Sequence, residues 1–430
     1  MNERGAAAGI AAPVSQAERV ELLDVLRGVA LFGVFLMNFT AFADAGVMAT
    51  EQQMAALPTA QVDYVLTEVL AALVMDKANT LFAFLFGLGF HLQMHRLEAR
   101  GVDFEPLFRR RMTVLLAFGI LHFVFLWTWD ILHLYALAGF VLLAFHSMSN
   151  RDLLGIGIIC AVLARTAQKA FDAFGSASTW TGAPDPQIEA AVLERQQLAH
   201  SGDYFGILGN FLDLAVVQYI LSGAILGWLM YALGRFFIGA WVGRHGWIVR
   251  ARDYLPGWRR VLKWTLPVGL LIEGLATFVW LSPVFPEGAY RQFVADALHL
   301  AAVPVLAAGY VSAVVVGFHA PLGRRLLAPF AAAGRMALTN YVSQSFIMGF
   351  VLFGVGPGLA LAGRIGTTGI TAIVIACFAL QIVISRLWLS QFQYGPLEWL
   401  WRALTYGNLP RLRARSPRNR GSDRRPHRPV

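Results

Sequence analysis

Charged residues are scarce in this sequence. Asp, Glu, Lys and Arg together make up 14% of the 430 residues, whereas hydrophobic residues make up 57%. A soluble domain carries roughly a quarter of its residues as charged side chains, so this deficit argues against a water-soluble fold. Apolar runs of about 20 residues recur along the chain, which is the length that an α-helix needs to cross the hydrocarbon of a bilayer. The composition therefore predicts a membrane protein, with the lipid bilayer as its surroundings.

Cysteine is nearly absent, and so are the motifs of soluble nucleotide and metal enzymes. Cys160 and Cys377 both lie inside apolar runs, so we predict neither a disulfide bond nor a cysteine-based metal site. No Gly-rich phosphate loop, GxSxG elbow or HExxH zinc motif occurs, so ATP hydrolysis and zinc chemistry lack support and no bound metal or cofactor is expected. The net charge of +9 resides in loops and in the C-terminal tail, which indicates membrane topology and not a binding surface for nucleic acid.

Long apolar segments predict an all-α membrane protein with about ten transmembrane helices in one bundle. The segment 61–75 is apolar but too short to span, and we predict an interfacial or re-entrant helix there. No signal-peptide pattern precedes the first span, which is therefore predicted to be retained. The predicted spans are 22–42, 78–95, 110–128, 132–149, 152–168, 207–232, 262–281, 294–317, 336–356 and 367–389.

Basic residues alternate along the connections between these spans. The connections after the second, sixth and eighth spans are rich in Arg, and Arg235 is the first Arg of the connection after the sixth span. The first loop and the loop 169–206 carry more acids than bases. Lys and Arg accumulate in cytoplasmic loops, so both termini are predicted to be cytoplasmic. The predicted organisation is a cytoplasmic N-terminal segment (1–21), a polytopic membrane domain (22–407) and a basic, disordered cytoplasmic tail (408–430).

His122 is the first candidate functional residue, because a polar ring inside an apolar helix is costly to bury. It lies two turns inside the third predicted span and has no charged neighbour in sequence, so it needs a partner from elsewhere. Asp130 lies eight residues further on, about 12 Å away along a continuous helix, which is too far for direct contact. Asp213, Asn38 or a water molecule is therefore the predicted partner.

Other polar residues form an outer group and a deeper group. Trp127 and Tyr135 lie toward the outer face, where Trp127 also fits an ordinary interfacial residue. Asp24 and Arg27 are three residues apart on the first span and can pair on one helix face. Asn340 and Gln344 on the ninth predicted span and Glu273 on the seventh complete the deeper group. Two further histidines, His133 and His299, are predicted to be solvated near the membrane surface.

Five motifs occur in order along the chain: RVELLDVLRGVALFGVFLMN (19–38), TLFAFLFGLGF (80–90), LLAFGILHFVFLWTWDILHLYAL (115–137), GRMALTNYVSQS (334–345) and YGPLEWLWRALTYG (394–407). Together they resemble the YeiB family of bacterial inner-membrane proteins, whose C-terminal half (about 235–407 here) is a domain of unknown function. The resemblance covers residues 19–407 and implies a multi-pass protein of the bacterial inner (plasma) membrane.

The YeiB family is in turn distantly similar to the transmembrane acyltransferase superfamily, through Arg27 and Gly28 followed about ten residues later by Asn38. This similarity implies transfer of an acyl group from a cytoplasmic thioester donor, acyl-CoA, to an extracytoplasmic acceptor that is a small molecule, an envelope glycan or a lipid. Some members of the superfamily carry His near position 38, and because Asn38 cannot act as a base, His122 is the expected general base.

The remaining roles implied by this reading are orientation of the base by Asp130 or Asp213 and stabilisation of an oxyanion by Asn38. Two alternatives remain: a transporter or channel for a small solute with His122 as a proton relay, and a scaffold without chemistry. The residues predicted to bind substrate are Arg27, Asp24, Asp213, Trp127, Tyr135, Asn340 and Gln344.

Overall fold

The computed structural model describes residues 20–40, 47–175, 186–354 and 358–413, and in these ranges the chain is helical without a β-strand. Two π-helical segments, Val216–Leu221 and Ile347–Phe353, continue α9 and α14. The helices are α1 (Glu21–Thr40), α2 (Glu51–Ala55), α3 (Ala60–Leu73), α4 (Lys77–Glu98), α5 (Phe104–Phe125), α6 (Leu132–Ala144), α7 (Asn150–Gly175), α8 (Pro186–Ser201), α9 (Tyr204–Ala215), α10 (Ala224–His245), α11 (Leu255–Leu281), α12 (Ala289–Phe318), α13 (Pro321–Arg335), α14 (Ala337–Phe346), α15 (Thr367–Gln391) and α16 (Pro396–Tyr406).

The predicted fold class is confirmed: the protein is an all-α membrane protein. By length and composition, 7 described helices can cross a membrane, with α3 and α4 counted together, and the number rises to 8 if α13 and α14, bent by 79°, form one span. Helices α5, α6 and α7 cover the third to fifth predicted spans but are not among those 7. Arg109, Arg110 and Arg111 lie near the start of α5, and α6 has 13 residues. The count of ten spans and the cytoplasmic placement of both termini therefore stay predictions.

The sixth predicted span, 207–232, is wrong. Helix α9 and its π-helical continuation end at Leu221, and after a break at Gly223 the long helix α10 begins at Ala224. Gly223 adopts a φ of 72°, which a residue without a Cβ reaches at no steric cost. Arg235, expected in a cytoplasmic loop, therefore lies in the middle of α10, where its side chain is buried.

Two other predicted segments can be compared with the structure. Helix α3 (Ala60–Leu73) fits the short helix predicted at 61–75, and its Asp63 accepts a hydrogen bond of 2.7 Å from the Thr368 backbone at the start of α15. Residues 408–413 of the predicted tail are described and mostly exposed, and one of them makes a backbone contact: the nitrogen of Gln393 donates to the Leu412 carbonyl at 2.8 Å. Residues 414–430 lie outside the described residues.

Close helix contacts at glycines position the core. A Cβ at Gly87 of α4 would lie 2.0 Å from the Phe236 carbonyl oxygen of α10, and one at Gly239 would lie 2.0 Å from that of Phe84. Gly334 of α13 packs in the same way on the Asp24 backbone of α1. Gly87 thus marks a position where a neighbouring helix packs closely. These backbone contacts hold α4 against α10 and α1 against α13.

Candidate functional site

The turn between α5 and α6 brings distant parts of the sequence together. Helix α5 ends at Phe125, and the His122 carbonyl accepts hydrogen bonds from the nitrogens of Leu126 and Trp127. The chain then reverses and α6 begins at Leu132. A Cβ at Gly119 would lie 2.3 Å from the His133 nitrogen, so the absence of a side chain there lets α6 approach α5. As a result, the loop residues before α6 return to the level of His122.

Asp130 lies between two histidines. Its Oδ1 is 2.9 Å from Nδ1 of His122, and its Oδ2 accepts hydrogen bonds of 3.0 Å from the backbone nitrogen and from Nδ1 of His133. All three side chains are buried. The prediction that Asp130 is out of reach of His122 is therefore wrong, because it assumed one continuous helix where α5 ends at Phe125.

The ring nitrogens that do not face Asp130, Nε2 of each histidine, contact hydroxyl groups. Nε2 of His122 is 2.9 Å from Oγ of Ser345, and Nε2 of His133 is 3.2 Å from the hydroxyl of Tyr219. Tyr341 donates a hydrogen bond of 3.2 Å to Oδ1 of Asp130, and its ring lies 5.1 Å from that of His122. We name the group the His–Asp cluster; its members are Ser345, His122, Asp130, His133, Tyr219 and Tyr341. The order of contacts from serine through histidine to aspartate is the arrangement that activates a hydroxyl for acyl transfer.

A cavity of about 280 Å³ approaches this cluster from the ends of α1, α4 and α5 that are predicted to be cytoplasmic. Five arginines and two acids line it, so the charged residues give a net positive surface. Arginine binds phosphate well because its planar guanidinium presents paired donors. The charged lining residues are Arg27, Arg96, Arg111, Arg335 and Arg402, with Asp24 and Glu398.

The inner end of this basic cavity borders the His–Asp cluster. Tyr341 lines the cavity and also donates its hydrogen bond to Asp130. Ile131 and Leu132, the residues that follow Asp130, lie in the same wall. A molecule bound in the cavity would therefore have its inner end within one side chain of the two histidines.

Glu398 of α16 lines the cavity and connects its wall to α14. Its Oε1 accepts hydrogen bonds from the backbone nitrogens of Leu338 and Thr339, at 2.7 and 3.1 Å, at the N-terminus of α14. A carboxylate at this end of a helix complements the positive end of the helix dipole. Burial raises the pKa of Glu398, while these hydrogen bonds favour its charged form. Next to it, the Arg111 guanidinium lies 4.0 Å from the centre of the Trp401 ring.

Comparison with known proteins identifies the family. The chain is 30% identical to "Uncharacterized protein YxaH" of Bacillus subtilis, over 92% of this chain and 96% of that protein. The chain belongs to the YeiB family. It is also 30% identical to "Uncharacterized protein YeiB" of Escherichia coli, over 93% of this chain and 98% of that protein. The family model described as a protein of unknown function, DUF418, matches residues 242–408. The resemblance drawn from the five motifs is thus confirmed.

Three of the predicted substrate-binding residues of this YeiB-family chain line the basic cavity. Arg27 pairs with Asp24 at 3.0 Å, as predicted from their spacing. Tyr135 donates its hydroxyl to the Asn79 carbonyl at 3.2 Å and stacks edge-on against Phe86. All three belong to the cavity wall and are separate from the His–Asp cluster itself.

The other predicted site residues lie elsewhere. Asn340 donates to Ser385 at 3.0 Å and Gln344 donates to Gln381 at 2.9 Å, so both amides serve contacts between α14 and α15. Trp127 is buried beside Trp129, with ring centres 5.1 Å apart. The two predicted partners of His122 contribute no hydrogen bond to the cluster in the described part of the chain: Asn38 is half-buried, and Asp213 is exposed.

Sequence reasoning missed four members of the cluster: Ser345, Tyr341, Tyr219 and His133. One signal was present, because Tyr341 and Ser345 are four residues apart and so lie on one face of α14. The expectation that His133 is a solvated surface histidine is wrong, since the α5–α6 turn buries it against Asp130.

A second buried ionic cluster lies at the start of α4. Nζ of Lys77 is 2.9 Å from Oε2 of Glu273, and Oε1 of Glu273 is 2.7 Å from Nδ1 of His299. Nε2 of His299 is in turn 3.4 Å from Asp76. Glu273 therefore has two partners, and the expectation that His299 is a solvated histidine near the membrane surface is corrected. Helix α12 packs against both α4 and α11, which brings these side chains together.

Proposed function

We propose that this YeiB-family protein is a transmembrane acyltransferase of the bacterial inner membrane. It moves an acyl group from cytoplasmic acyl-CoA to a hydroxyl or amine on an extracytoplasmic small molecule, glycan or lipid. The observation that carries the proposal is the position of His122, between the Ser345 hydroxyl and the Asp130 carboxylate at 2.9 Å on each side. Only the Tyr341 side chain separates this group from the inner end of an arginine-lined cavity.

Each member of this arrangement has a role in acyl transfer. His122 takes the proton of Ser345 through Nε2 while Oγ attacks the thioester carbonyl of the donor. The bond from the carbonyl carbon to Oγ forms, the carbon–sulfur bond breaks, and the proton passes from Nε2 to the departing thiolate. Asp130 keeps the Nδ1 proton facing itself, so that Nε2 is the free base.

The second half of the reaction reverses these steps with the acceptor. The acceptor hydroxyl or amine gives its proton to His122 Nε2 and attacks the Ser345 ester, and Oγ leaves with that proton. Because the acyl group rests on Ser345 between the two halves, donor and acceptor need not occupy the site together. This separation suits a donor and an acceptor that approach from opposite sides of a membrane.

The basic cavity supports acyl-CoA as the donor. Its five arginines, opposed by two acids, complement the phosphates of the nucleotide end, while Tyr341 and Leu132 mark the inner end where the thioester would lie. Arg111 is held over the Trp401 ring at 4.0 Å, which keeps one guanidinium oriented along the wall. The acceptor is not specified by these contacts.

The test is acyl transfer in membrane vesicles supplied with labelled acetyl-CoA. His122→Ala and His122→Gln should both abolish transfer while protein abundance stays near wild type, because an amide cannot accept the proton at neutral pH. His319→Gln is the matched control, since that imidazole bonds the Val315 carbonyl on its own helix at 2.8 Å. Near-wild-type transfer by His122→Gln would refute the general-base role.

One observation favours the alternative of a proton-coupled transporter. The contacts from Ser345 through His122, Asp130 and His133 to Tyr219 form a continuous chain with steps of 2.9 to 3.2 Å. Such a chain can pass protons. Uptake of a solute that follows the proton gradient and ignores CoA would support this function, whereas label transfer from acetyl-CoA without solute uptake would support the acyltransferase.

A further inference from the structure

A second cavity, of about 460 Å³, lies on another face of α4, between α7, α10, α11 and α12. It shares no lining residue with the basic cavity. Trp247 and Trp258 lie at one end and Arg235 at the other. Arg235 and the last residue of α10, His245, are about 15 Å apart along the helix at 1.5 Å per residue, and Trp247 follows directly. The cavity is therefore a slot long enough for an extended hydrocarbon chain.

The walls of this slot are apolar apart from a few groups at Arg235. Small side chains at Ala161, Ala307 and Ala308 leave the space open, and Pro304 interrupts the backbone hydrogen bonding of α12 beside it. Exposed residues along its side, such as Gly257, provide the opening. An apolar slot with an opening in a membrane protein suits a molecule that partitions into the bilayer.

Arg235 is a buried cation whose hydrogen bonds are incomplete. Its side chain is 2% exposed; Nε donates to Thr80 at 3.0 Å, and Nη1 donates to the carbonyls of Ala161 and Tyr231 at 2.9 and 3.0 Å. Nη2 is buried and has no hydrogen-bond partner among the described residues. The guanidinium lies over the Tyr231 ring, 3.0 Å from the ring centre, and Asp76 acts on it electrostatically, but no carboxylate of the described residues forms an ion pair with it. A buried donor and charge left in this way is costly unless a ligand completes it.

We propose that this slot binds a long-chain fatty acid, with its carboxylate on Nη2 of Arg235 and its hydrocarbon chain along the slot toward Trp247. The carboxylate supplies the missing acceptor for Nη2 and a negative charge in direct contact with the guanidinium. A single unbranched chain with a small head fits better than a phospholipid, because Nη2 is completely buried and the head must pass between packed helices. The proposal does not depend on the acyltransferase function, since none of these residues belongs to the His–Asp cluster.

The test is equilibrium binding of labelled palmitate to the purified full-length protein in detergent, with hexadecanol as an uncharged competitor. We expect saturable binding of palmitate that hexadecanol displaces poorly. Arg235→Gln should weaken binding by about tenfold or more, the loss expected for a hydrogen bond to a charged group. Equal competition by hexadecanol would show that Arg235 does not recognise the head.

A second pair of variants leaves Arg235 intact. A Cβ at Gly257 or at Gly274 meets no heavy atom within 4 Å, and both glycines are exposed on α11, but Gly257 lines the slot and Gly274 does not. Gly257→Leu should therefore reduce palmitate binding while Gly274→Leu leaves it unchanged, with both variants eluting as the wild type does in size-exclusion chromatography. Equal binding by the two variants, or a phospholipid retained in the slot in native mass spectrometry in place of palmitate, would overturn the proposal.

Discussion

Replacement of Asp130 by Asn is the sharpest test of the His–Asp cluster. The carboxylate faces His122 with one oxygen and accepts from His133 with the other, and Tyr341 donates to it as well. An amide of the same shape has one accepting oxygen and one donating nitrogen. Whichever way it turns, its NH₂ group faces an imidazole Nδ1 that carries a proton in the wild type.

The accepting oxygen should stay on the His133 side, because the His133 backbone N–H also donates there and cannot lose its proton, so the amide nitrogen should face His122. That imidazole then shifts its proton to Nε2 and can no longer accept one from Ser345. In another enzyme with this order of groups, the same substitution lowers the rate by about 10⁴-fold through this tautomer change, which is the magnitude expected here. Two weakened hydrogen bonds to a buried charge also cost about 3 kcal/mol of stability or more.

The assay is transfer of label from acetyl-CoA in vesicles, with the amount of folded variant measured in parallel. Tyr341→Phe is the matched control, because it removes one donor to the same oxygen without changing the tautomer of His122. We expect it to retain most of the transfer rate, with a stability loss of about 1 kcal/mol. If Asp130→Asn transfers at the wild-type rate while folded, Asp130 does not orient the base and the reasoning fails.

Three further predictions concern the fold. Gly87→Ala should lower the unfolding temperature, because its Cβ must move from 2.0 Å to about 3.4 Å from the Phe236 carbonyl, and such overpacking costs about 1 to 3 kcal/mol. Gly155→Ala on α7 is the control, since its Cβ meets open space and should leave the unfolding temperature unchanged. Glu273→Leu should lower the free energy of unfolding by about 3 kcal/mol, because it leaves Lys77 buried without its carboxylate. The double variant with Lys77→Met should recover most of that loss in the same thermal assay, and no recovery would mean that the two residues are not coupled. Reporter fusions at Arg100, Arg250 and Arg325 should report the cytoplasm and a fusion at Ala56 the outside, and an outside signal from any of the three arginine positions would require a different span count.

Hydropathy predicts where helices lie better than where they break. The first, second and tenth predicted spans match α1, α4 and α15 closely, because each is an uninterrupted apolar run of the length that a bilayer requires. The run 207–232 is equally apolar but contains Gly223, whose left-handed backbone divides it. A glycine in an apolar segment is compatible with a helix, so the pattern alone could not distinguish a break there from close packing such as that of Gly87.

The candidate site was predictable in part, through the cost of burial. His122 could be singled out because it is an ionisable residue within an apolar run. Its partners were not predictable, since Asp130 returns to it through the end of α5 and Ser345 comes from a helix more than 200 residues further along the chain. Such contacts depend on how helices cross, and one sequence does not specify those crossings. For the same reason, four of the five arginines of the basic cavity, all except Arg27, were attributed to topology or to the tail until α1, α4, α5, α13 and α16 placed all five around one space.

The basic cavity and the His–Asp cluster are mechanically connected through α14. Tyr341 and Ser345 lie one turn apart on that helix, and its N-terminus is held by Glu398, which lines the cavity. Arg402, four residues after Glu398 on α16, lines the same cavity, and Trp401 between them donates to the Arg111 carbonyl at 3.1 Å. A phosphate group bound by these arginines would therefore contact α16. Helix α16 holds α14 through the Glu398 carboxylate, and α14 carries Tyr341 and Ser345, which touch His122. Helix α14 has 10 residues and begins at a bend of 79°. If the protein is an acyltransferase, as proposed, a shift of α16 on binding of the donor should therefore change the position of the Ser345 hydroxyl relative to Nε2 of His122.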